Sequence, residues 1–212
     1  MPGERASVDV RREQILQASF EVASREGIGG LTIRAVAAEA KLSHSLVVFY
    51  FQRKERLVLE LLEWLIATTA VLHVSDEVAR IPGALDRLHA VLQQELERLH
   101  AQRKHTRLFF EYWARGTNDA EVRARISAEL ERYRGAFRAM MEELLAAEPA
   151  AFHGVSADAM AAVAVSWLQG CAVQGMVAPE HFDMAAYLAA VRGFTTRLAQ
   201  PEAPGTRVQR GA

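Results

Sequence analysis

Cysteine is almost absent from this chain, because its 212 residues include a single one, Cys171. One thiol cannot build an internal disulfide framework, so small disulfide-stabilised scaffolds are excluded and a reducing compartment is favoured. The first residues, MPGERASVDVRRE, lack an apolar h-region and are not expected to act as a signal peptide. The sequence therefore predicts a cytoplasmic protein.

The chain also has little net charge, with a formal value of -1 at pH 7. Residues 1–60 hold nine Lys and Arg against eight Asp and Glu, so the N-terminal part carries one net positive charge. Bulk electrostatic attraction to nucleic acid is not expected at this balance. Any affinity for DNA must come from local placement of charge, and it should be sequence-selective and assisted by dimerisation.

Catalytic and cofactor motifs are missing too. The chain has no GxSxG elbow, no GxGxxG after a strand, no GxxxxGK[ST] loop and no HExxH pair. Its seven histidines show no tight ligand spacing. The acidic pairs Glu95 with Glu97 and Glu142 with Glu143 are expected to be solvated helix faces. We predict no catalytic residues, no metal site, no cofactor and no enzymatic activity.

One uncharged stretch, residues 159–179, is long enough to cross a membrane. It is rich in alanine, contains three polar residues and lacks flanking Lys or Arg, so a buried helix explains it better. No run with β-strand periodicity and no internal repeat appears. Apolar residues recur with helical spacing along the chain, which predicts an all-α fold of about nine helices.

The most informative stretch is residues 31–51, LTIRAVAAEAKLSHSLVVFYF. Thr32 is a candidate N-cap for one short helix, and Ser43 for a second helix that ends near Tyr50 with Val47 facing inward. A turn is expected at Lys41 and Leu42. Two short helices joined this way suit the major groove of DNA, although many other helical proteins share the spacing.

The flanking segments favour the DNA-binding interpretation. Residues 10–27 form an amphipathic pattern closed by Gly27, a typical helix stop. The following helix carries Arg53, Lys54 and Arg56 in its first turn, where cations oppose the helix dipole. That cost is more easily tolerated if these side chains meet phosphates.

Residues 10–65, with ILQAS, LTIRAVAAEA, LSHSLVVFYF and KERL in order, resemble the N-terminal domain of TetR-type transcriptional repressors. The resemblance implies phosphate contacts from Thr32, Tyr50 and Lys54, and it implies groove contacts from Ser43, His44, Ser45, Leu46 and Phe49. Arg34 completes the predicted DNA-binding set. Three positions depart from the family pattern. Lys41 replaces a usual turn glycine and should strain a left-handed turn by about 1 kcal/mol. Val48 replaces a common aromatic, and Arg53 a small capping residue.

The domain organisation expected from these patterns has four parts. They are a flexible arm (residues 1–7), a helix-turn-helix domain (8–55, with the motif at 31–50), a ligand-binding and dimerisation domain (56–200) and a disordered tail (201–212). The small residues of helix 156–177 allow close helix approach, and TetR-like proteins dimerise through their last two long helices. The alternative is the central helix of a monomeric bundle.

A short helix near residues 105–115, HTRLFFEYWAR, concentrates aromatic residues. Aromatics with a few polar groups form small-molecule pockets, but they also form cores. The resemblance implies that this helix borders an inducer cavity. The predicted ligand-binding residues are Trp64, Phe109, Trp113, Met140, Trp167 and Cys171.

The function predicted from the sequence is a homodimeric transcriptional repressor that binds a palindromic operator in double-stranded DNA. A small-molecule inducer would release it, and no membrane takes part. Two alternatives remain at this point: a DNA-binding protein without a ligand, and an all-α enzyme whose resemblance is confined to its first domain.

Overall fold

The computed structural model describes residues 7–69, 72, 74–149 and 151–199, which form ten α-helices and no β-strand. The helices are α1 (Val8–Gly30), α2 (Ile33–Ala40), α3 (His44–Phe51), α4 (Lys54–Thr69), α5 (Asp76–Ala79), α6 (Ala84–Ala101), α7 (Arg103–Gly116), α8 (Ala120–Ala147), α9 (Ala157–Val177) and α10 (Met184–Ala199). The predicted all-α class is confirmed. The short helix α5, closed after one turn, was not anticipated. Nearly all of the predicted arm and the whole predicted tail lie outside the described residues.

Helix α1 begins at the cap residue Ser7, whose hydroxyl accepts the Val10 amide at 3.3 Å. Gly27 interrupts the helix with φ 74° and ψ 169°, and one further turn follows to Gly30. The predicted stop at Gly27 is therefore confirmed as a break. A residue with a Cβ would be strained at this φ, which explains the glycine.

The described residues form two compact units. The first joins the segment up to Leu72 with Leu99–Tyr133, and the second joins the residues from 74 to Arg98 with those from Arg134 to 199. Packing thus groups α7 with the helix-turn-helix region, whereas the sequence prediction placed it in the second domain. The functional boundary at residue 55 stays a prediction.

The core of the first unit forms around α4. Leu57, Leu61, Leu62 and Leu65 are fully buried there, in one cluster with buried residues of α1, α7 and α8. Each such side chain contributes about 1.5–3 kcal/mol by leaving water. This burial holds α4 against the helices that carry and support the DNA-binding motif.

The second unit contains a buried carboxylate that the sequence prediction missed. Glu95 is 0% exposed, and its oxygens accept from Arg98 at 2.5 and 2.8 Å. The prediction of a solvated face was wrong for Glu95, because it lies on the same inward side of α6 as Leu88 and Leu92. Arg98, one turn further along, offsets the cost of burying its charge.

Helix α9 is, among the described residues, the one helix long and apolar enough to span a bilayer by length and composition. Only 28% of its most apolar 18-residue stretch is buried. The sequence predicted a buried helix, and the structure buries one face of it. Ala164 and Leu168 lie on the buried face, each 1% exposed, whereas Val163 and Val177 are exposed. An apolar face of α9 is thus exposed among the residues that the structure describes.

Candidate DNA-binding surface and ligand region

Both predicted N-caps of the helix-turn-helix are present. The Thr32 hydroxyl accepts the Ala35 amide at 3.1 Å at the start of α2, and the Ser43 hydroxyl accepts the Leu46 amide at 3.2 Å at the start of α3. These bonds satisfy amides that have no partner within the first turn. The local sequence therefore fixes where both helices begin.

The turn between α2 and α3 has the left-handed geometry expected from the sequence. Lys41 has φ 55° and ψ 42°. Its amide donates to the Ala38 carbonyl at 3.2 Å, and the Leu42 amide donates to the Ala37 carbonyl at 2.9 Å. This bond pair is the Schellman motif, in which glycine usually takes the left-handed position. The predicted left-handed conformation of Lys41 is confirmed, and its strain of about 1 kcal/mol stays a prediction.

Helix α3 has one buried and one exposed face. Val47 and Phe51 are 0% exposed and anchor the helix to the core. Phe49 is 76% exposed, and the members of the predicted groove-contact set lie at the surface or are partly buried: Ser43, His44, Ser45, Leu46 and Phe49. The helix thus presents a mixed apolar and polar surface that matches thymine methyls and base edges.

The connection from α3 to α4 is also strained. Gln52 has φ 61° and ψ -53°, and the Arg53 amide donates to the Phe51 carbonyl at 2.6 Å, which defines the less common γ-turn with positive φ. This tight turn places the first residue of α4, Lys54, directly after the recognition helix.

The three cations near the start of α4 differ in their surroundings. The Lys54 ammonium donates to the Gly29 carbonyl at 3.0 Å and keeps two further donors. Arg56 donates to Glu60 at 2.9 Å and to Gln52 at 3.3 Å, whereas Arg53 is exposed. Of the remaining residues in the predicted DNA-binding set, Thr32 and Arg34 are exposed, and Tyr50 is half-buried.

Helix α7 holds the broken end of α1 through contacts that sequence reasoning missed. The Glu111 carboxylate accepts the Ile28 amide at 2.9 Å, just after the break at Gly27. Arg107 donates to the Ser24 carbonyl, and Lys104 pairs with Glu21 at 3.3 Å. The partners are 83 residues apart in sequence, so no local pattern could have revealed them.

Arg12 is another residue that the sequence did not single out. Its guanidinium pairs with Glu60 and lies 5.1 Å from the centroid of the Phe51 ring. It therefore links α1 to α4 and covers the end of the recognition helix by a cation–π contact.

The aromatic cluster of α7 divides into core and partly buried residues. Tyr112 is 0% exposed, and its hydroxyl donates to the Val58 carbonyl at 2.6 Å. Phe110 and Trp113 stack with centroids 5.5 Å apart, and Phe109 and Trp113 pack against the core from its edge. The core interpretation holds for Tyr112, while the role of Phe109 and Trp113 in ligand binding stays a prediction.

Trp64 is held by contacts to α1 and α7. Its indole nitrogen donates to Glu13 at 2.8 Å, and its ring lies 5.6 Å from Phe20 and stacks on His105 at 6.5 Å. Burial beside these rings lowers the pKa of His105, so the imidazole is largely neutral at pH 7. These contacts give Trp64 a packing role, and its contact with a ligand stays a prediction.

The six predicted ligand-binding residues are divided between the units. Trp64, Phe109 and Trp113 belong to the first unit, and Met140, Trp167 and Cys171 to the second. Burial raises the pKa of the Cys171 thiol to about 11, so it behaves as a small apolar group. A hollow of about 550 Å³ on α10 and one of about 470 Å³ near Arg53 and Arg115 are each formed within one unit, and neither is lined by these six residues.

Metal ligands do not converge in the part of the chain that the structure describes, where no group of three or more His, Cys, Asp or Glu side chains is placed to hold an ion. The candidate DNA-binding surface consists of capped helix ends, exposed polar groups and cations.

Residues 15–61 match the profile of the bacterial regulatory proteins of the tetR family, and residues 84–200 match the C-terminal domain of BetI-type transcriptional repressors. The chain belongs to the TetR family. It is 30% identical, over 82% of its length and 84% of the relative, to an HTH-type transcriptional regulator in the dhlA 5' region of Xanthobacter autotrophicus. The resemblance to TetR-type repressors that residues 10–65 indicated is confirmed.

Solved structures of regulators share the TetR fold of this chain. A transcriptional regulator from Pseudomonas aeruginosa PAO1 superposes with a TM-score of 0.75 at 19% identity, covering 92% of this chain and 93% of the other. A regulator from Saccharomonospora viridis in complex with choline gives 0.70 at 16% identity, covering 89% and 96%. Because the family consists of transcriptional regulators, the prediction of a non-enzymatic DNA-binding regulator is confirmed and the enzyme alternative is set aside.

Proposed function

We propose that this TetR-family regulator is a homodimeric repressor that binds a palindromic operator and is released by a small-molecule inducer. The observation that carries the DNA-binding role is the exposed face of α3. It presents Phe49 and polar side chains outward from a helix fixed by the buried Val47 and Phe51. A rigid helix of this kind can read base edges in the major groove.

Dimerisation is supported by the uncovered apolar surface of the last two helices. Five exposed large hydrophobic residues lie on α9 and α10: Val163, Val173, Val177, Phe194 and Leu198. Soluble monomers seldom leave so many apolar side chains exposed on neighbouring elements. A second copy of the chain would cover them and place two recognition helices on one operator, about 34 Å apart.

Inducer binding is supported by the partly buried aromatic residues of α7 and by the bonds of that helix to α1 and α4. A ligand that prefers one arrangement of α7 would also bias α4, because Tyr112 is bonded to Val58. The regulator of the same fold from Saccharomonospora viridis, solved in complex with choline, supports this part of the proposal. For inducer binding to release the operator, the inducer must bind the DNA-free state more tightly than the DNA-bound state.

Binding to the DNA that flanks the protein's own coding sequence tests the proposal. We expect one dimer per palindrome, measured by fluorescence anisotropy and sedimentation, and release by at least one compound of a metabolite panel. Tight binding that no compound weakens would favour the ligand-independent alternative. Binding by a monomer with equal affinity would contradict the homodimer.

A further inference from the structure

Two non-glycine residues with positive φ bracket the recognition helix. Within the described ranges they are the only ones, Lys41 before α3 and Gln52 after it. Left-handed backbone disfavours any residue with a Cβ, and such strain persists where the surrounding structure enforces it, often at functional sites. The strained positions are therefore concentrated at the ends of α3.

At Lys41 no side-chain contact with a described residue offsets the strain. The residue occupies the left-handed position of a Schellman motif, where glycine would fit without strain. Its side chain is exposed and forms no hydrogen bond or ion pair with any residue that the structure describes. A favourable interaction with the C-terminal dipole of α2 is the one structural role that its charge offers.

Lys41 also lies next to a helix that lacks Lys and Arg. No Arg or Lys lies between Ser43 and Phe51, so the recognition helix has no cation of its own. Lys41 precedes His44 by three residues, so their Cα atoms are at most about 11 Å apart. The phosphates that border a major groove of about 12 Å width are thus within reach of a lysine side chain.

We propose that Lys41 is a DNA-backbone contact that holds the N-terminal end of α3 in the groove, at the expense of local backbone strain. The contact deepens the DNA-binding function and rests on the insertion of α3 into the major groove. It is independent of base sequence, since a lysine recognises phosphate as a point charge.

Lys41→Gly tests the proposal because it removes strain and charge together. The probe is a double-stranded oligonucleotide of arbitrary sequence, titrated by anisotropy between about 50 and 200 mM salt. We expect the salt slope to fall by about 0.9 per bound protomer, which is roughly a fivefold loss of affinity per protomer at about 0.15 M salt. The melting temperature should rise by a few degrees, and Lys41→Arg should keep the slope.

Two matched variants separate strain from charge. Gln52→Gly relieves a positive φ without removing charge, so it should raise the melting temperature and leave the salt slope unchanged. Lys104→Gln removes a charge from α7, where Lys104 pairs with Glu21, and should also leave the slope unchanged.

Four results would overturn the proposal. An unchanged slope in Lys41→Gly would show that the side chain does not contact phosphate. An equal fall in Lys104→Gln would assign the effect to bulk charge, and a lower melting temperature in Lys41→Gly would assign Lys41 a stabilising role at the helix end. Failure of the wild-type protein to bind duplex DNA would refute the DNA-binding function and the contact with it.

Discussion

The Tyr112 hydroxyl donates a 2.6 Å hydrogen bond to the backbone carbonyl of Val58, and both residues are almost completely buried. The bond joins α7 to the first turns of α4, directly after the recognition helix. Burial raises the pKa of the Tyr112 phenol, so the hydroxyl stays protonated and remains a donor.

Tyr112→Phe should lower stability by about 1 kcal/mol, because it removes this bond and keeps the ring. For a chain of this size the melting temperature should fall by roughly 2–4 °C. Tyr112→Ala is the matched comparison and should cost about 3–5 kcal/mol through the cavity it creates. Thermal denaturation measures both. A phenylalanine variant as stable as the wild type would show that the bond makes no net contribution.

Phe49 and Lys54 are expected to play different parts in DNA binding. Phe49→Ala should change sequence preference, since an exposed ring on α3 can meet thymine methyls. Lys54→Ala should weaken binding to every duplex alike, because an ammonium contacts phosphate. Competition between operator and arbitrary DNA distinguishes the two. Lys54 also bonds to the Gly29 carbonyl, so a melting curve must show that Lys54→Ala stays folded. An equal loss of sequence preference in Phe49→Ala and Lys54→Ala would contradict these separate roles.

Val163→Arg should disrupt the dimer, because it places a charge on the exposed apolar face of α9. Ala164, the next residue, is 1% exposed within one chain, so a charge there would disturb the core and would not report on the interface. Val8→Arg, an exposed valine in α1, is the control and should stay dimeric. Sedimentation velocity measures the mass. A dimer of unchanged affinity in Val163→Arg would place the interface elsewhere.

Trp113→Ala should leave operator binding of the unliganded protein nearly intact and weaken release by an inducer. The indole stacks on Phe110 and packs at the edge of the core, so its removal takes away aromatic surface while the recognition helix stays as it is. Trp113→Phe, which keeps a ring, should retain release. Titration of the protein–operator complex with inducer reports the effect. Loss of folding in both variants would make Trp113 a core residue.

Glu129 gives a pH-dependent prediction. It is 5% exposed, one carboxylate oxygen pairs with Arg132, and the other has no hydrogen-bond partner within the described ranges. Burial raises its pKa above the ordinary value of 4.5 despite the opposing effect of Arg132. A raised folded-state pKa means that its contribution to stability is present below pH 4.5 and is lost as the pH rises through the folded pKa.

Glu129→Gln cannot ionise, so it should not lose stability in this way. Its melting temperature should therefore rise relative to that of the wild type as the pH increases from 4.5 to neutrality. Glu142→Gln changes an exposed carboxylate on the same helix and should show no such trend. Melting curves across this pH range measure the difference. A constant difference between Glu129→Gln and wild type would contradict the raised pKa.

Local chemistry made the DNA-binding motif predictable. Thr32 and Ser43 are caps because their hydroxyls reach amides three residues ahead, and Lys41 is left-handed because a Schellman turn requires it. Such features depend on neighbours in sequence. The resemblance to TetR repressors used the same short segments and was therefore specific.

Residues whose role depends on distant partners were not predictable. The burial of Glu95 was missed because acidic residues are usually solvated, and the bond between Glu111 and the Ile28 amide spans 83 positions. The sequence also did not reveal that Glu13 accepts a hydrogen bond from the Trp64 indole N–H, 51 positions away. Periodicity indicates that a residue faces inward, but not which side chain it meets.

The bond from Glu111 to the Ile28 amide also has a consequence for how the protein is made. A ribosome completes the helix-turn-helix segment long before it synthesises α7, so the first unit cannot finish packing until residue 133 has emerged. The dependence of α1 on α7 also matters for protein engineering. A chimera that exchanges only the first 55 residues between two regulators would separate α1 from the carboxylate that holds its end, whereas one that also transfers α7 would keep them together.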